Sequence, residues 1–225
     1  MNYCAFEKAF SDTFDFWNLI SDNDKKTICE NTRTFSFKKG TTVHDGNSCS
    51  GVFVINSGSL RVYVLSDEGK EITLYRLHKE EMCMLSASCV LQAITFDVVI
   101  DAEEDCECMV INGDIFSQLS DRIPEIKIFA LETALGRFSD VMWILQQILF
   151  MSMDKRLAIF LWDESTRLGT DNIELTHEQI AKYIGSAREV VSRVLKYFSN
   201  EGIVENSRKG VKILDKKRLR DLGWR

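Results

Sequence analysis

Residues 176–200 read Thr-His-Glu-Gln-Ile-Ala-Lys-Tyr-Ile-Gly-Ser-Ala-Arg-Glu-Val-Val-Ser-Arg-Val-Leu-Lys-Tyr-Phe-Ser-Asn. Two stretches in it, Thr176-His177-Glu178-Gln179 and Ser186-Ala187-Arg188-Glu189, have the form of a capping box. In that motif a hydroxyl caps the third helical amide and the side chain three residues on reaches back. Each therefore marks a helix start. The first helix buries Ile180, Ala181 and Ile184 and breaks at Gly185, which leaves the short turn expected between the two helices of a helix-turn-helix. The second runs from Ala187 to about Asn200. Val190, Val191, Val194, Leu195 and Phe198 make its inner face, and Glu189, Ser192, Arg193 and Lys196 share the outer one, with Arg188 at the edge.

That outer set suits a DNA major groove. An arginine can make a bidentate pair with guanine and a carboxylate can accept from the cytosine amino group, so Arg188, Glu189, Ser192 and Arg193 are the expected base-reading residues. Lys196, further along, is expected on phosphate, where it positions the helix. Thr176, His177 and Ser186 at the two helix starts are expected on phosphate as well. The competing reading is that Glu189 only closes its capping box and the cations form a solvated face. Caps, glycine turn, inner face and outer set agree in register, which favours DNA reading. Beyond Gly202, Ile203-Val204-Glu205-Asn206 and Val211-Lys212-Ile213-Leu214 flank Ser207-Arg208-Lys209-Gly210, a hairpin with a basic tip. This reads as a wing that lays Arg208 and Lys209 along the phosphate backbone.

The net charge of −6 conceals an uneven distribution. Residues 170–225 hold 12 Lys and Arg against 8 Asp and Glu, net plus four, so residues 1–169 stand at net minus ten. The basic end is where a phosphate-binding surface is expected. At 225 residues, with 45% hydrophobic and 28% charged residues, the chain suits two globular domains and a proper core. The N-terminal residues lack a secretory pattern, and no stretch approaches the roughly 20 apolar residues of a membrane span, so a cytoplasmic protein without membrane contact is expected. Seven scattered cysteines suit free, reduced thiols better than a disulfide framework.

Ahead of the helix-turn-helix, residues 35–78 alternate, as in Leu60-Arg61-Val62-Tyr63-Val64, and are punctuated by Gly40, Gly46, Gly51, Gly58 and Gly69. Short strands with close turns predict an antiparallel β-domain, with a second β-rich stretch over residues 94–111. Residues 81–92 show no alternation and read as a turn plus a short helix. From Pro124, suited to a first helical turn, a long helix runs to about Met151. Along it Ile128, Leu131, Leu135, Phe138, Met142, Leu145 and Leu149 recur at alternating spacings of three and four, the seam of a coiled coil. A second stripe, Ala130, Ala134, Val141, Ile144 and Ile148, runs beside it. Two apolar faces need two packing partners. One can be the chain's own β-domain and the other the same helix of a second subunit, which predicts a homodimer; burial of both faces within a monomer is the alternative. The fold class is thus α+β, with an effector-sensing domain over residues 1–122, a dimerisation helix over 123–151 and a winged helix-turn-helix over 152–225.

Several of these stretches carry a resemblance to the CRP/FNR family of bacterial transcription regulators. Phe37-Lys38-Lys39-Gly40, Gly51-Val52-Phe53-Val54-Ile55-Asn56-Ser57-Gly58 and Asp67-Glu68-Gly69-Lys70-Glu71-Ile72-Thr73-Leu74 resemble its cyclic-nucleotide-type, jelly-roll-like β-roll. Asp154-Lys155-Arg156-Leu157-Ala158 resembles the opening of the helix after the dimer helix. Arg188-Glu189 with Arg193 resembles the reading set of the members that bind cyclic AMP, and Glu189 with Ser192-Arg193 that of the members that hold an iron–sulfur cluster. The resemblance implies a palindromic operator with half-sites akin to TGTGA or TTGAT about one helical turn apart, with Arg188 favouring the former. It also implies RNA polymerase as a partner and an effector in the β-roll.

The sensor end departs from both kinds of member. The phosphate-binding pairs of cyclic-AMP binders are replaced by Met82-Cys83-Met84-Leu85-Ser86 and Ala93-Ile94-Thr95, and the purine-facing hydroxyls by Val141 and Met142, so cyclic AMP is disfavoured. Only Cys4 and Cys29 precede the β-roll, which disfavours a four-thiolate iron–sulfur cluster. Haem through His44, His78 or a cysteine is an open alternative with a weak signal, and Cys106 with Cys108, or Cys83 with Cys89, is an open thiol-switch alternative. By analogy the effector pocket takes in Leu85, Ser86, Ala87, Ser88, Val141 and Met142, and the effector itself is unknown. Two other functions compete. A cupin-type metalloenzyme is disfavoured, because His44 and His78 stand 34 residues apart and neither belongs to an H-x-H pair. A sensing module acting through protein contacts is disfavoured by the charged outer face, since docking faces favour aromatics. No catalytic residues and no metal site are expected.

Overall fold

The computed structural model describes residues 6–46, 50–84, 97–207 and 209–224. The chain forms two compact units, Met1–Asp67 with Leu74–Val141, and Glu68–Thr73 with Met142–Arg225.

The first unit opens with α1 (Glu7–Thr13) and α2 (Asp22–Glu30), the latter capped by Ser21, whose side chain accepts from the Asp24 amide. Among the described residues eight strands follow: β1 (Thr32–Phe37), β2 (Thr42–His44), β3 (Val52–Ser57), β4 (Leu60–Leu65), β5 (Glu71–Leu77), β6 (Met82–Cys83), β7 (Val99–Ala102) and β8 (Cys106–Ile111). They form two four-stranded sheets, ordered β1-β8-β3-β6 and β2-β7-β4-β5. Every pairing with a described register is antiparallel.

Strand periodicity explains the layers. On β3, Val52 and Val54 face one way into a cluster with Phe10, Phe14, Trp17 and Ile28 of the N-terminal segment, while Phe53 and Ile55 face the other way into a cluster with Leu60, Val62, Leu77 and Ile100. On β8, Met109 and Ile111 join the first cluster and Cys106 and Cys108 the second. A strand buried on both faces needs no polar alternation, which is why β3 and β8 read as near-continuous apolar runs. Gly58, at φ +79° between β3 and β4, sits where an added Cβ would fall 2.5 Å from the Asp105 carbonyl oxygen, so a side chain there would collide with backbone.

Residues 81–92 were expected to form a turn plus a short helix, but Met82–Cys83 is a strand paired with β3 at Phe53 and Val54. Met82 and Met84 enter one cluster and Cys83 the other, an alternation too short to see in the sequence. Residues 85–92 lie outside the described residues. Reduced thiols were expected throughout, yet Cys29 is disulfide-bonded; cysteine spacing carries no information about distance in the fold. Cys83, Cys106 and Cys108 are buried thiols outside any disulfide.

Next come α3 (Gly113–Arg122), capped by Asn112, and the 27-residue α4 (Pro124–Phe150). Ile126, Phe129, Ala130 and Ala134 of α4 pack into the first-unit core, and Val141 packs against the inter-sheet cluster. In the single chain the seam residues Ile128, Leu131, Leu135, Phe138, Met142, Leu145 and Leu149 are all exposed, from 37% to 64%.

The second unit contains α5 (Met153–Leu168), β9 (Asn172–Ile173), α6 (His177–Tyr183), α7 (Arg188–Asn200), β10 (Val204–Ser207), β11 (Gly210–Ile213) and α8 (Lys216–Trp224). One core joins them. Leu157, Ala158 and Leu161 of α5, Ile180 and Ala181 of α6, Val191, Leu195 and Phe198 of α7, Val211 and Ile213 of β11, and Leu219 of α8 are all nearly sealed from solvent. None of the helices among the described residues is long and apolar enough to cross a membrane.

Candidate nucleic-acid interface

The start of α6 is fixed by its capping box. Thr176 accepts from the Gln179 amide at 3.2 Å, and Gln179 Oε1 accepts from the Thr176 amide at 2.8 Å. An N-cap of this kind is worth about 0.5–2 kcal/mol against alanine. The helix ends in a Schellman turn, in which Gly185 takes φ +58° and the Ser186 amide bonds the Ala181 carbonyl at 2.9 Å.

That turn overturns the second expected capping box. Ser186 is drawn into the C-terminal closure of α6, so Ala187 becomes the N-cap of α7 and provides no side-chain cap. Glu189 accordingly takes no part in a cap. It lies in the first turn of α7 and is exposed, as are Arg188, Arg193 and Lys196. The inner face holds as the sequence arranged it: Val191, Leu195 and Phe198 are buried, and Val190 and Val194 are half-buried.

Ser192 behaves differently from its neighbours. It is half-buried, and its Oγ lies 2.8 Å from Nδ1 of His177 at the start of α6. Burial, helped by the nearby Arg188 charge, holds the His177 ring below the ordinary histidine value. Periodicity placed both residues on the correct helices but could not bring them together, because their contact spans fifteen residues and depends on how α6 crosses α7.

The hairpin β10–β11 forms the wing, and β11 also pairs with β9. Asn206 Nδ2 donates to the Leu195 carbonyl at 3.1 Å, which ties the wing to α7. At the tip the Lys209 amide donates to Ser207 Oγ at 3.1 Å, and the Lys209 side chain is exposed; Arg208 lies outside the described residues. The basic surplus is not uniformly available. Lys216 pairs with Asp171 at 2.7 Å and Arg218 with Glu201 at 3.0 Å, whereas Arg188, Arg193, Lys196 and Lys209 have no ion-pair partner among the described residues. Three of these four unpaired cations lie on α7 and one on the wing.

Comparison with known proteins agrees with this geometry. Residues 155–222 match the Crp-like helix-turn-helix domain and residues 34–122 the cyclic nucleotide-binding domain. A crystal structure of a transcriptional regulator of the CRP/FNR family from Eubacterium rectale ATCC 33656 is 45% identical, with a TM-score of 0.89 over 94% of this chain and 99% of that one. The chain belongs to the CRP/FNR family. Among curated relatives, the transcriptional activator protein FnrA of Stutzerimonas stutzeri is 27% identical over 79% of this chain and 75% of its own length. The transcriptional regulator flp of Lacticaseibacillus casei is 26% identical over 91% and 94%. The fold expected from the sequence, an antiparallel β-roll, a long helix and a winged helix-turn-helix, is that of the family, and the chain is a DNA-binding transcription regulator.

The match in a CRP/FNR sensor domain describes a fold and leaves its ligand unassigned. Of the expected effector pocket, Val141 packs against the inter-sheet cluster and Met142 is 37% exposed, while Leu85, Ser86, Ala87 and Ser88 lie outside the described residues. Arg76, Arg61 and Arg137 each have a partner. Arg76 bonds Glu103 at 2.6 Å, and the Arg61 guanidinium lies 4.2 Å from the Tyr63 ring. Arg137 lies 4.6 Å from the Tyr75 ring and 3.2 Å from Asp140. Burial raises the thiols of Cys106 and, further, Cys108, which keeps them protonated and opposes a reactive thiolate role. Cys89, the other thiol-switch candidate, lies outside the described residues. His44 is buried and its Nδ1 lies 2.7 Å from Ser50 Oγ, so that ring nitrogen is already engaged. No group of three or more His, Cys, Asp or Glu among the described residues is placed to hold a metal.

Proposed function

We propose that this CRP/FNR regulator acts as a homodimer that presents two copies of α7 to successive major grooves of a palindromic operator. One observation carries the dimer: seven large apolar side chains at coiled-coil spacing on α4, exposed in the single chain. A seam of that length, on a helix whose other face is packed from Ile126 to Val141, is most readily covered by its own twofold copy.

In this reading residues 1–122 sense, 123–151 dimerise and 152–225 bind DNA. Arg188, Glu189, Ser192 and Arg193 read bases, and the exposure of Glu189 without a capping duty supports its inclusion. Thr176, His177, Ser186, Lys196, Arg208 and Lys209 meet phosphate. Two-fold symmetry requires half-sites about one helical turn apart. The protein acts by binding rather than by catalysis, with RNA polymerase as its partner at the promoter. The effector in the β-roll is unidentified; it must bind two dimer states with different affinity, since equal affinity would switch nothing.

The test pairs sedimentation of the full chain with selection from a pool of random duplexes at fixed salt. A dimer that enriches a palindrome is expected. A monomer, or a dimer that binds all duplexes equally at every salt concentration, overturns the reading.

A further inference from the structure

Ser192 projects from α7 in the row of Glu189, Arg193 and Lys196, but its hydroxyl is engaged by His177 at 2.8 Å. A serine hydroxyl carries one proton and two lone pairs and rotates to suit its partner, so on its own it meets donor-bearing and acceptor-bearing base edges alike. A neighbour that claims either the proton or a lone pair removes that freedom. A neutral imidazole has one N–H and one bare nitrogen. If Nδ1 is bare, it accepts the Ser192 proton and the hydroxyl turns its lone pairs outward. If Nδ1 carries the hydrogen, the Ser192 proton turns outward instead.

The phosphate role proposed for His177 selects between these states. A phosphate oxygen is an acceptor only, so a ring that meets it through Nε2 keeps its proton there and presents Nδ1 bare to Ser192. We infer that His177 is a specificity-determining positioning residue, which fixes Ser192 as an acceptor and matches it to a base edge bearing an amino group, N6 of adenine or N4 of cytosine. The inference rests on the reading of α7 given above.

It also carries a pH dependence. An imidazolium donates from both nitrogens, so protonation turns the Ser192 proton outward and exchanges the preferred edge for O4 of thymine or O6 and N7 of guanine. The charged residues on the two packed helices are Glu178 and Lys182 on α6 and Arg188, Glu189, Arg193 and Lys196 on α7. Among them it is Arg188 whose charge reaches the ring and, after burial itself, disfavours its protonation.

The experiment measures binding of the full-length protein to its selected operator and to every single-base-pair variant of one half-site, at about pH 8 and about pH 5. Ratios between operators cancel any general gain in phosphate binding. At one base pair the wild type is expected to prefer the amino-bearing edge by roughly 3- to 10-fold at the higher pH, the worth of one net hydrogen bond, and to lose or invert that preference at the lower. His177→Ala and Ser192→Ala should each abolish it, and the double variant should add nothing, while choices made through Arg188 and Arg193 persist. A His177→Ala protein that weakens on all operators alike and keeps the preference overturns the inference, as does a wild-type preference that ignores pH; the latter arm needs no variant to fold. Should Ser192→Ala be silent while Arg193→Ala relaxes its own base pair, the inference fails and the reading of α7 stands. If Arg188→Ala, Ser192→Ala and Arg193→Ala all leave base choice unchanged, that reading fails too.

Discussion

Arg193 and Lys196 differ by three positions and are both exposed cations, yet they are assigned different partners. Arg193→Ala should relax choice at one base pair by about 1–3 kcal/mol, whereas Lys196→Ala should weaken binding to all sequences alike and lower the salt slope by about one. Titration of variant operators at several salt concentrations separates the two, and equal effects from both variants would contradict the assignment. His44 makes a different kind of prediction. Burial holds its ring below 6.5, the ordinary value, so the folded state resists the proton that the unfolded chain accepts. Its stabilising effect is complete above pH 6.5 and is lost as pH falls through the lowered folded value. Urea unfolding across that range should show stability declining with acidity in the wild type and a shallower decline in His44→Gln. An identical slope would mean that His44 does not carry the effect.

At the scale of the element, α4 is a helix of two apolar faces with unequal fates. Ile126 and Ala130 are sealed within the first-unit core, while Leu135 and Phe138 stand 64% and 60% exposed. Leu135→Asp places a charge in the middle of the open seam without touching the packed face. Sedimentation should show dimers giving way to monomers, with operator affinity falling and the far-ultraviolet circular dichroism unchanged. An unaltered dimer would move the interface elsewhere. The periodicity of both stripes was legible because a helix repeats every 3.6 residues, and side chains at these spacings share a face whatever surrounds them. The capping box at Thr176 was legible for the same reason. The Ser186 box was not: a local motif matches in sequence, yet the preceding Schellman turn claims the residue first.

For the whole molecule, the net charge of −6 is a poor guide to its partner. Unpaired cations gather on α7 and the wing, so operator binding should weaken steeply with salt in spite of the acidic total, with log K falling linearly against log salt concentration. Competition with an excess of anionic heparin should release the operator. A salt-insensitive affinity would mean that the charge of α7 and the wing does not face phosphate.

What the sequence determined by itself is what short-range geometry encodes: the alternation of the strands, the two stripes of α4, the glycine break between α6 and α7, and the inner and outer faces of the second of these helices. Tertiary structure alone decided which distant groups meet. It paired Met82–Cys83 with β3, joined Cys29 in a disulfide and set His177 against Ser192. The physical reason is range. Backbone periodicity repeats within a few residues and leaves its mark in the residue order, whereas a contact across fifteen residues or more depends on the crossing of packed elements, which no single stretch of chain specifies.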